Sequence, residues 1–167
     1  MTEIAHKIEP GSIRYFDDVE IGEELPPLAK GPLTTVHLMR WSAAVENWHR
    51  IHYDQRFAVH HDKLPDLLIN GSLKQQFLFQ MLKRWARTSG WIWKVNFQFR
   101  GMNLVGDTLR IWGRVAKKRD AGDFGLVDVE LGVTGQDGLE TTPGTACVAL
   151  PFRDGRPLPY PFVPPNI

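Results

Sequence analysis

Residues 91–150 contain four runs in which apolar and polar side chains alternate. The first run covers 91–100, and its apolar members are Trp91, Trp93, Val95, Phe97 and Phe99. The later runs lie within 109–115, 127–133 and 145–150. Successive side chains of a strand point to opposite faces, so a period of two predicts four β-strands. Short connections that contain glycine separate the runs, which predicts that the four strands form an antiparallel meander.

A segment with helical periodicity precedes these strands. Its apolar residues recur at a spacing of four, at Leu73, Phe77, Met81 and Trp85. The pattern predicts one long, mostly buried helix, capped by Ser72 and ended by Gly90, with Lys74 on its solvent side. A shorter helix is predicted within 34–45. One long helix followed by an antiparallel sheet indicates an α+β fold. A curved sheet wrapped around a central helix, the hotdog arrangement, is one solution, and other α+β layers remain open.

Length and composition predict one domain with a distinct tail. The chain has 167 residues, of which 43% are hydrophobic, enough to build a single core over 1–150. The tail, 151–167, holds six of the prolines. Proline fixes φ and lacks an N–H, so this extension is expected to be extended and irregular. It is expected to lie as a strap on the chain's own surface, and docking on a partner subunit is the alternative.

Charge and hydropathy argue against several classes of protein. Twenty Lys and Arg balance nineteen Asp and Glu, so neither nucleic acid nor an anionic membrane is an expected partner. No stretch approaches the roughly 20 apolar residues of a membrane span. The first ten residues lack the apolar run of a signal peptide, so a cytoplasmic location is expected. The single cysteine, Cys147, lies in an apolar run and is expected to be buried.

The connection between the two predicted helices carries the candidate chemistry. It contains His49 and His52, and a neutral imidazole can give or take a proton near pH 7. It ends at Gly71, where the long helix begins. Free N–H groups and the helix dipole favour a developing oxyanion at that point. A thioester carbonyl bound there could be activated while a base works on the adjacent carbons.

Several motifs in sequence order resemble the MaoC-like family of (R)-specific enoyl-CoA hydratases and 3-hydroxyacyl-thioester dehydratases. Residues 14–23, RYFDDVEIGE, are similar to the family's opening. Residues 47–54, NWHRIHYD, followed by Ala58, resemble its active-site loop, D-x-N-P-[IL]-H-x-D. Asn70-Gly71 and Val105-Gly106-Asp107 correspond to its H-G and V-G-D. The resemblance implies a hotdog fold and no cofactor.

The resemblance also implies roles for single residues. His52 falls on the family's catalytic histidine and Gly71 on its oxyanion-hole glycine. Asn47 falls on the catalytic aspartate, which is a departure because an amide cannot accept a proton at neutral pH. Asn47 is therefore expected to orient the water or the substrate. The predicted substrate-binding residues are His49, Asn70 and Ser72.

The resemblance implies reversible hydration of a 2-enoyl thioester, with acyl-CoA or an acyl-carrier protein as the substrate. The family's acyl pocket forms between subunits, so a homodimer or heterodimer is implied. The departure at Asn47 favours an alternative, a non-catalytic or half-catalytic subunit that needs a partner chain. An acyl-CoA thioesterase is less favoured, since 71–87 contain no carboxylate to activate water. A metal site built on the loop histidines is not predicted, because their spacing matches no closed metal motif.

Overall fold

The computed structural model of the chain describes residues 13–165. The helices are α1 (Thr35–Ala44), α2 (Gln55–His60) and α3 (Gly71–Ala86). The strands are β1 (Leu28–Lys30), β2 (Trp91–Phe97), β3 (Leu109–Asp120), β4 (Gly125–Thr134) and β5 (Glu140–Leu150). Short 3-10 turns occur at Phe16–Asp18 and Arg50–His52. The connection between α1 and α3 thus contains a 3-10 turn and α2.

The five strands form one antiparallel sheet in the order β1-β3-β4-β5-β2. The predicted meander is correct for β3, β4 and β5 and wrong for β2, which pairs with β5 at the opposite edge from β1. The reason lies in residues 98–108, which do not make a tight turn. They pass the start of α3, where the Ile69 N–H donates to the Asn103 carbonyl over 2.8 Å, before the chain enters β3.

Helix α3 packs against the concave face of this sheet and forms the centre of the core. Leu78 and Leu82 are fully buried on its inner side, together with Ile111 and Val133 from the sheet. Gly113 on β3 lets the helix approach closely, because a Cβ there would lie 3.0 Å from the Met81 methyl group. A sheet wrapped around one long helix is the predicted α+β hotdog architecture, and it is confirmed.

The ends of α3 differ from the prediction. Asn70, not Ser72, is the N-cap, and its side chain makes no capping bond. Ser72 lies in the first turn, where its hydroxyl accepts a hydrogen bond of 2.8 Å from the Trp41 indole N–H. The helix ends at Ala86, before Gly90, because Arg87 has a left-handed φ of 60°. The predicted shorter helix is α1, whose N-cap Thr34 forms a capping box with His37.

The proline-rich tail packs on the outer face of the sheet. The Phe162 ring stacks on Trp91, with centroids 5.6 Å apart, and lies 5.6 Å from the Phe124 ring. Beneath this aromatic group is Cys147, which is buried as predicted. The described part of the tail therefore covers the chain's own sheet. The division into a domain over 1–150 and an extension over 151–167 stays a prediction.

Candidate functional site

His52 lies in the 3-10 turn beside the segment that leads into α3. Two bonds hold these elements together. The Leu68 N–H donates to the Ile51 carbonyl over 3.0 Å, and His52 Nδ1 lies 2.8 Å from the Leu68 carbonyl oxygen. A carbonyl oxygen only accepts, so Nδ1 carries the proton and the Nε2 lone pair of the neutral ring is free. The turn therefore fixes both the orientation and the tautomer of His52.

The surroundings of His52 keep its ring neutral. The side chain is buried, and desolvation lowers its pKa below the ordinary value near 6.5. The hydrogen bond to Leu68 opposes this shift, and the nearby His49 ring adds to it. The His49 and His52 rings meet edge to face, with centroids 6.0 Å apart. At neutral pH, His52 is thus an unprotonated base with an available Nε2.

Gly71 begins α3 under the ring of Phe99. The first N–H groups of a helix have no acceptor within the helix, so the Gly71 amide is available to a ligand. A Cβ at this position would lie 2.7 Å from Phe99 Cε2, closer than side-chain carbons approach one another. The position therefore requires glycine while Phe99 stays in place. The helix start presents its amide beside an aromatic ring.

Asn70 and Ser72, two predicted substrate-binding residues, connect α3 to α1. Asn70 is fully buried, and its Nδ2 donates to the hydroxyl of Ser42 over 3.2 Å. Its Oδ1 has no hydrogen-bond partner among the described residues. Ser72 is bonded to Trp41, as above. Both side chains hold the helix start in place, and a direct contact with substrate stays a prediction.

Asn47 and His49 are brought together in the loop that precedes the 3-10 turn. Asn47 Oδ1 accepts the His49 backbone N–H over 3.2 Å, which fixes the chain entering the turn. The His49 side chain is exposed, and that of Asn47 is half-buried. Asn47 therefore orders the loop next to His52. Its predicted role in orienting water stays a prediction.

Comparison with known proteins gives the family. The model of the hydroxyacyl-thioester dehydratase type 2 family matches residues 23–107, just over half of the chain. Mesaconyl-C(4)-CoA hydratase of Chloroflexus aurantiacus is 38% identical over 89 residues. That match covers 50% of this chain and 30% of the relative, so this chain spans only part of the relative's length.

The solved structures agree with the fold. R-hydratase PhaJ1 from Pseudomonas aeruginosa superposes with a TM-score of 0.74 at 16% identity, covering 92% of this chain and 96% of that one. A chain of the ChsH1–ChsH2 complex from Mycobacterium tuberculosis gives 0.70 at 18% identity, covering 78% and 98%. At these identities the likeness concerns the fold alone.

The chain belongs to the hydroxyacyl-thioester dehydratase type 2 family. It is a MaoC-like hotdog protein, as the motifs predicted. The match covers the loop with His52, the start of α3 and the V-G-D segment.

Lys74, near the start of α3, is a residue that the sequence analysis placed wrongly. It was predicted on the solvent side of α3, yet its side chain is buried. Its Nζ donates to the Gly101 carbonyl and to Asn103 Oδ1, both at 3.1 Å. No carboxylate within 13–165 forms an ion pair with it, and desolvation lowers its pKa from 10.5 to about 8. The sequence feature that could have indicated its burial is its position directly after Leu73, a member of the apolar stripe.

The carboxylate nearest to His52 in sequence caps α2. Asp54 Oδ1 accepts the Phe57 N–H over 3.0 Å, and Oδ2 pairs with the Arg50 guanidinium. The backbone hydrogen bond, followed by Arg50, holds the pKa of Asp54 below its usual value. Asp54 is therefore a structural anion that fixes the loop.

The described residues show neither a metal cluster nor a membrane span. Within 13–165, no group of three or more His, Cys, Asp or Glu converges on one point. In the same part of the chain, no helix combines the length and the apolar character needed to cross a bilayer. Cavities of about 600 and 690 Å³ lie on the outer face of the sheet and beside the C-terminal half of α3, and neither is lined by His52 or Gly71.

Proposed function

We propose that this protein adds water reversibly across the 2,3 double bond of a 2-enoyl thioester, most simply an acyl-CoA. The observation that carries the proposal is the state of His52, a buried, neutral imidazole whose Nδ1 is occupied by Leu68 and whose Nε2 is free. Membership of a dehydratase family supports this reaction class. The helix start at Gly71 supplies the N–H that would hold the thioester oxygen.

One imidazole is sufficient for the proton transfers of this reaction. In the hydration direction, His52 Nε2 takes a proton from water as the oxygen bonds to C3. The electron pair of the double bond moves through C2 to the thioester oxygen, and the Gly71 amide stabilises the resulting negative charge. The imidazolium then returns the proton to C2. The cycle leaves His52 neutral, so it needs no carboxylate at position 47, and Asn47 would orient the water through its amide.

A mutation at His52 tests this mechanism. We expect His52→Gln to lower kcat on a 2-enoyl-CoA by at least about 100-fold, the range for loss of a general base. The fold should survive, because a glutamine amide can still donate to Leu68. The matched control is His60→Gln on the exposed end of α2, which should behave as wild type. Wild-type turnover by a folded His52→Gln protein would refute the proposal.

A second function is favoured by the departure at Asn47 and by the partial cover of the longer relative. The chain would be a half-catalytic hotdog subunit whose pocket is completed by a partner. If the chain is a complete hydratase, a second copy of it would complete the site. If it is a half-catalytic subunit, a different hotdog chain would do so.

Activity measured together with mass in solution separates these two functions. A hydration assay over a panel of enoyl-CoA esters, run on the purified chain at known oligomeric state, should show turnover if the chain is complete. In the half-catalytic case, the chain is inert alone, Asn47→Asp does not rescue it, and activity appears only with a second hotdog chain. Release of free CoA from saturated acyl-CoA would instead indicate a thioesterase.

A further inference from the structure

Lys74 is a buried cation that has no role in the hydration mechanism proposed above. Burying an ammonium without a carboxylate is costly, and such groups are found where they perform a function. Lys74 is 3% exposed, and its partners are two neutral oxygens, those of Gly101 and Asn103. Both partners belong to the connection between β2 and β3, whereas Lys74 belongs to the first turns of α3.

The same connection carries the ring that covers Gly71. Phe99 lies against the Gly71 Cα, and Lys74 Nζ lies 5.3 Å from the centroid of the Phe99 ring. The ammonium therefore makes three contacts with one segment, two hydrogen bonds and a cation–π contact. Phe99 is 51% exposed, and its ring also contacts that of Phe97, with centroids 5.4 Å apart.

A second layer of bonds fixes the partner of Lys74. Asn103 Oδ1 also accepts the Thr141 hydroxyl over 2.7 Å, and the Asn103 carbonyl accepts the Ile69 N–H. The network also reaches a carboxylate, that of Asp107, to which Asn103 Nδ2 donates over 3.5 Å. The exposed Arg100 lies in the same segment. Within the described residues, Lys74 is the α3 side chain whose hydrogen bonds enter this network, so it links the helix to the segment.

We propose that Lys74, in its ammonium form, is a positioning residue that holds Phe99 against Gly71 and so limits the access of water to the start of α3. The inference rests on the proposed hydration at Gly71. A neutral amine would lose the cation–π contact and weaken both hydrogen bonds, which are charge-assisted. Phe99 would then move away from Gly71, and the Gly71 N–H would stabilise the thioester oxygen less well.

Kinetics across pH give the first test. Burial lowers the pKa of Lys74 to about 8, so wild-type kcat should fall as pH rises through this value, with KM changing less than about twofold. Lys74→Met should show a kcat about tenfold or more lower at pH 7 and no such alkaline limb. Lys83→Met, an exposed lysine of the same helix, should keep the wild-type profile. An unchanged kcat and alkaline limb in Lys74→Met would overturn the proposal.

A second measurement needs neither turnover nor a variant at position 74. With 4-fluorophenylalanine at position 99, the 19F resonance should titrate with a midpoint near pH 8, because the ring senses the Lys74 charge. A resonance that is flat from pH 6.5 to 9.5 would reject the coupling. A clear titration in a chain without hydration activity would uphold the coupling and reject the proposed function.

Discussion

Replacing Gly71 by alanine separates the need for space at the helix start from the need for helix stability. The new Cβ would lie 2.7 Å from Phe99 Cε2 and 2.8 Å from Cζ. Carbon atoms in van der Waals contact are about 3.5–4.0 Å apart, so the ring must retreat by about 1 Å. Phe99 is half exposed and can swing outward, but the move disrupts its contacts with the Phe97 ring and the Lys74 ammonium.

The energy terms for this change oppose one another. Alanine in place of glycine gains up to about 1 kcal/mol from helix propensity and from a less flexible unfolded chain. Displacing the ring costs a similar amount, so the free energy of unfolding should change by less than about 1 kcal/mol. If a displaced Phe99 admits water to the amide, however, the loss approaches that of an oxyanion-hole donor, about 100-fold in kcat.

The assay is a double-mutant cycle on kcat/KM for enoyl-CoA hydration, with urea unfolding of each protein as the control. In a Phe99→Ala background there is no ring to displace, so adding Gly71→Ala should cost less than about threefold. In the wild-type background the same change should cost about 100-fold. Equal losses in both backgrounds, or a loss that tracks unfolding, would refute the reasoning that Gly71 is required because of Phe99.

Three further predictions concern stability. In the unfolded chain His52 binds a proton near pH 6.5, whereas in the folded chain its pKa is lower. The free energy of unfolding should therefore fall as pH drops below 6.5, and urea titrations should show a less steep fall for His52→Gln. Lys74 makes the free energy of unfolding depend on pH in the same direction, but at higher pH. Its pKa is about 8 in the folded chain and 10.5 in the unfolded chain, so the free energy of unfolding should rise between these pH values by up to about 3 kcal/mol. Lys74→Met should flatten this rise in denaturant titrations. Asp54→Ala should lower Tm in a thermal scan, because α2 loses its cap, whereas Asp54→Asn, which keeps an acceptor for Phe57, should lower it less. An Asn variant as unstable as the Ala variant would point to the Arg50 ion pair instead.

The sequence predicted those features that depend on neighbouring residues. The alternation in 109–150 fixed three strands correctly, because a period of two is a local property of the backbone. The same reasoning failed for the pairing of β2, which is decided by contacts of the 98–108 connection with the segment before α3. Likewise, Ser72 is a common capping residue, but its hydroxyl is taken by Trp41, a residue of another helix. Contacts between distant segments carry no local periodicity.

The candidate site shows the same division. The loop pattern and the family resemblance predicted His52 and Gly71 as site residues, and their roles stay predictions; the structure shows His52 bonded to the Leu68 carbonyl and Gly71 as the first residue of α3. The tautomer of His52 was beyond prediction, because it depends on a carbonyl sixteen positions away. The contacts of Phe99 with Gly71 and with Lys74 were also not predicted. These contacts exist only once the β2–β3 connection has folded over the first turn of α3.

The two unusual positions of the site act in the same electrostatic direction. Where the family pattern has a carboxylate, Asn47 is neutral, so no negative charge at that position raises the pKa of His52. The ammonium of Lys74 lies 5.3 Å from the centroid of the Phe99 ring, which contacts Gly71, and in the proposed reaction it would favour negative charge on the thioester oxygen. A neutral base and a positive field at the carbonyl are what addition of water to an enoyl thioester requires, since the base must be unprotonated at the start and the charge develops on oxygen. Under the proposed mechanism, an asparagine in place of the aspartate is therefore compatible with proton transfer by His52.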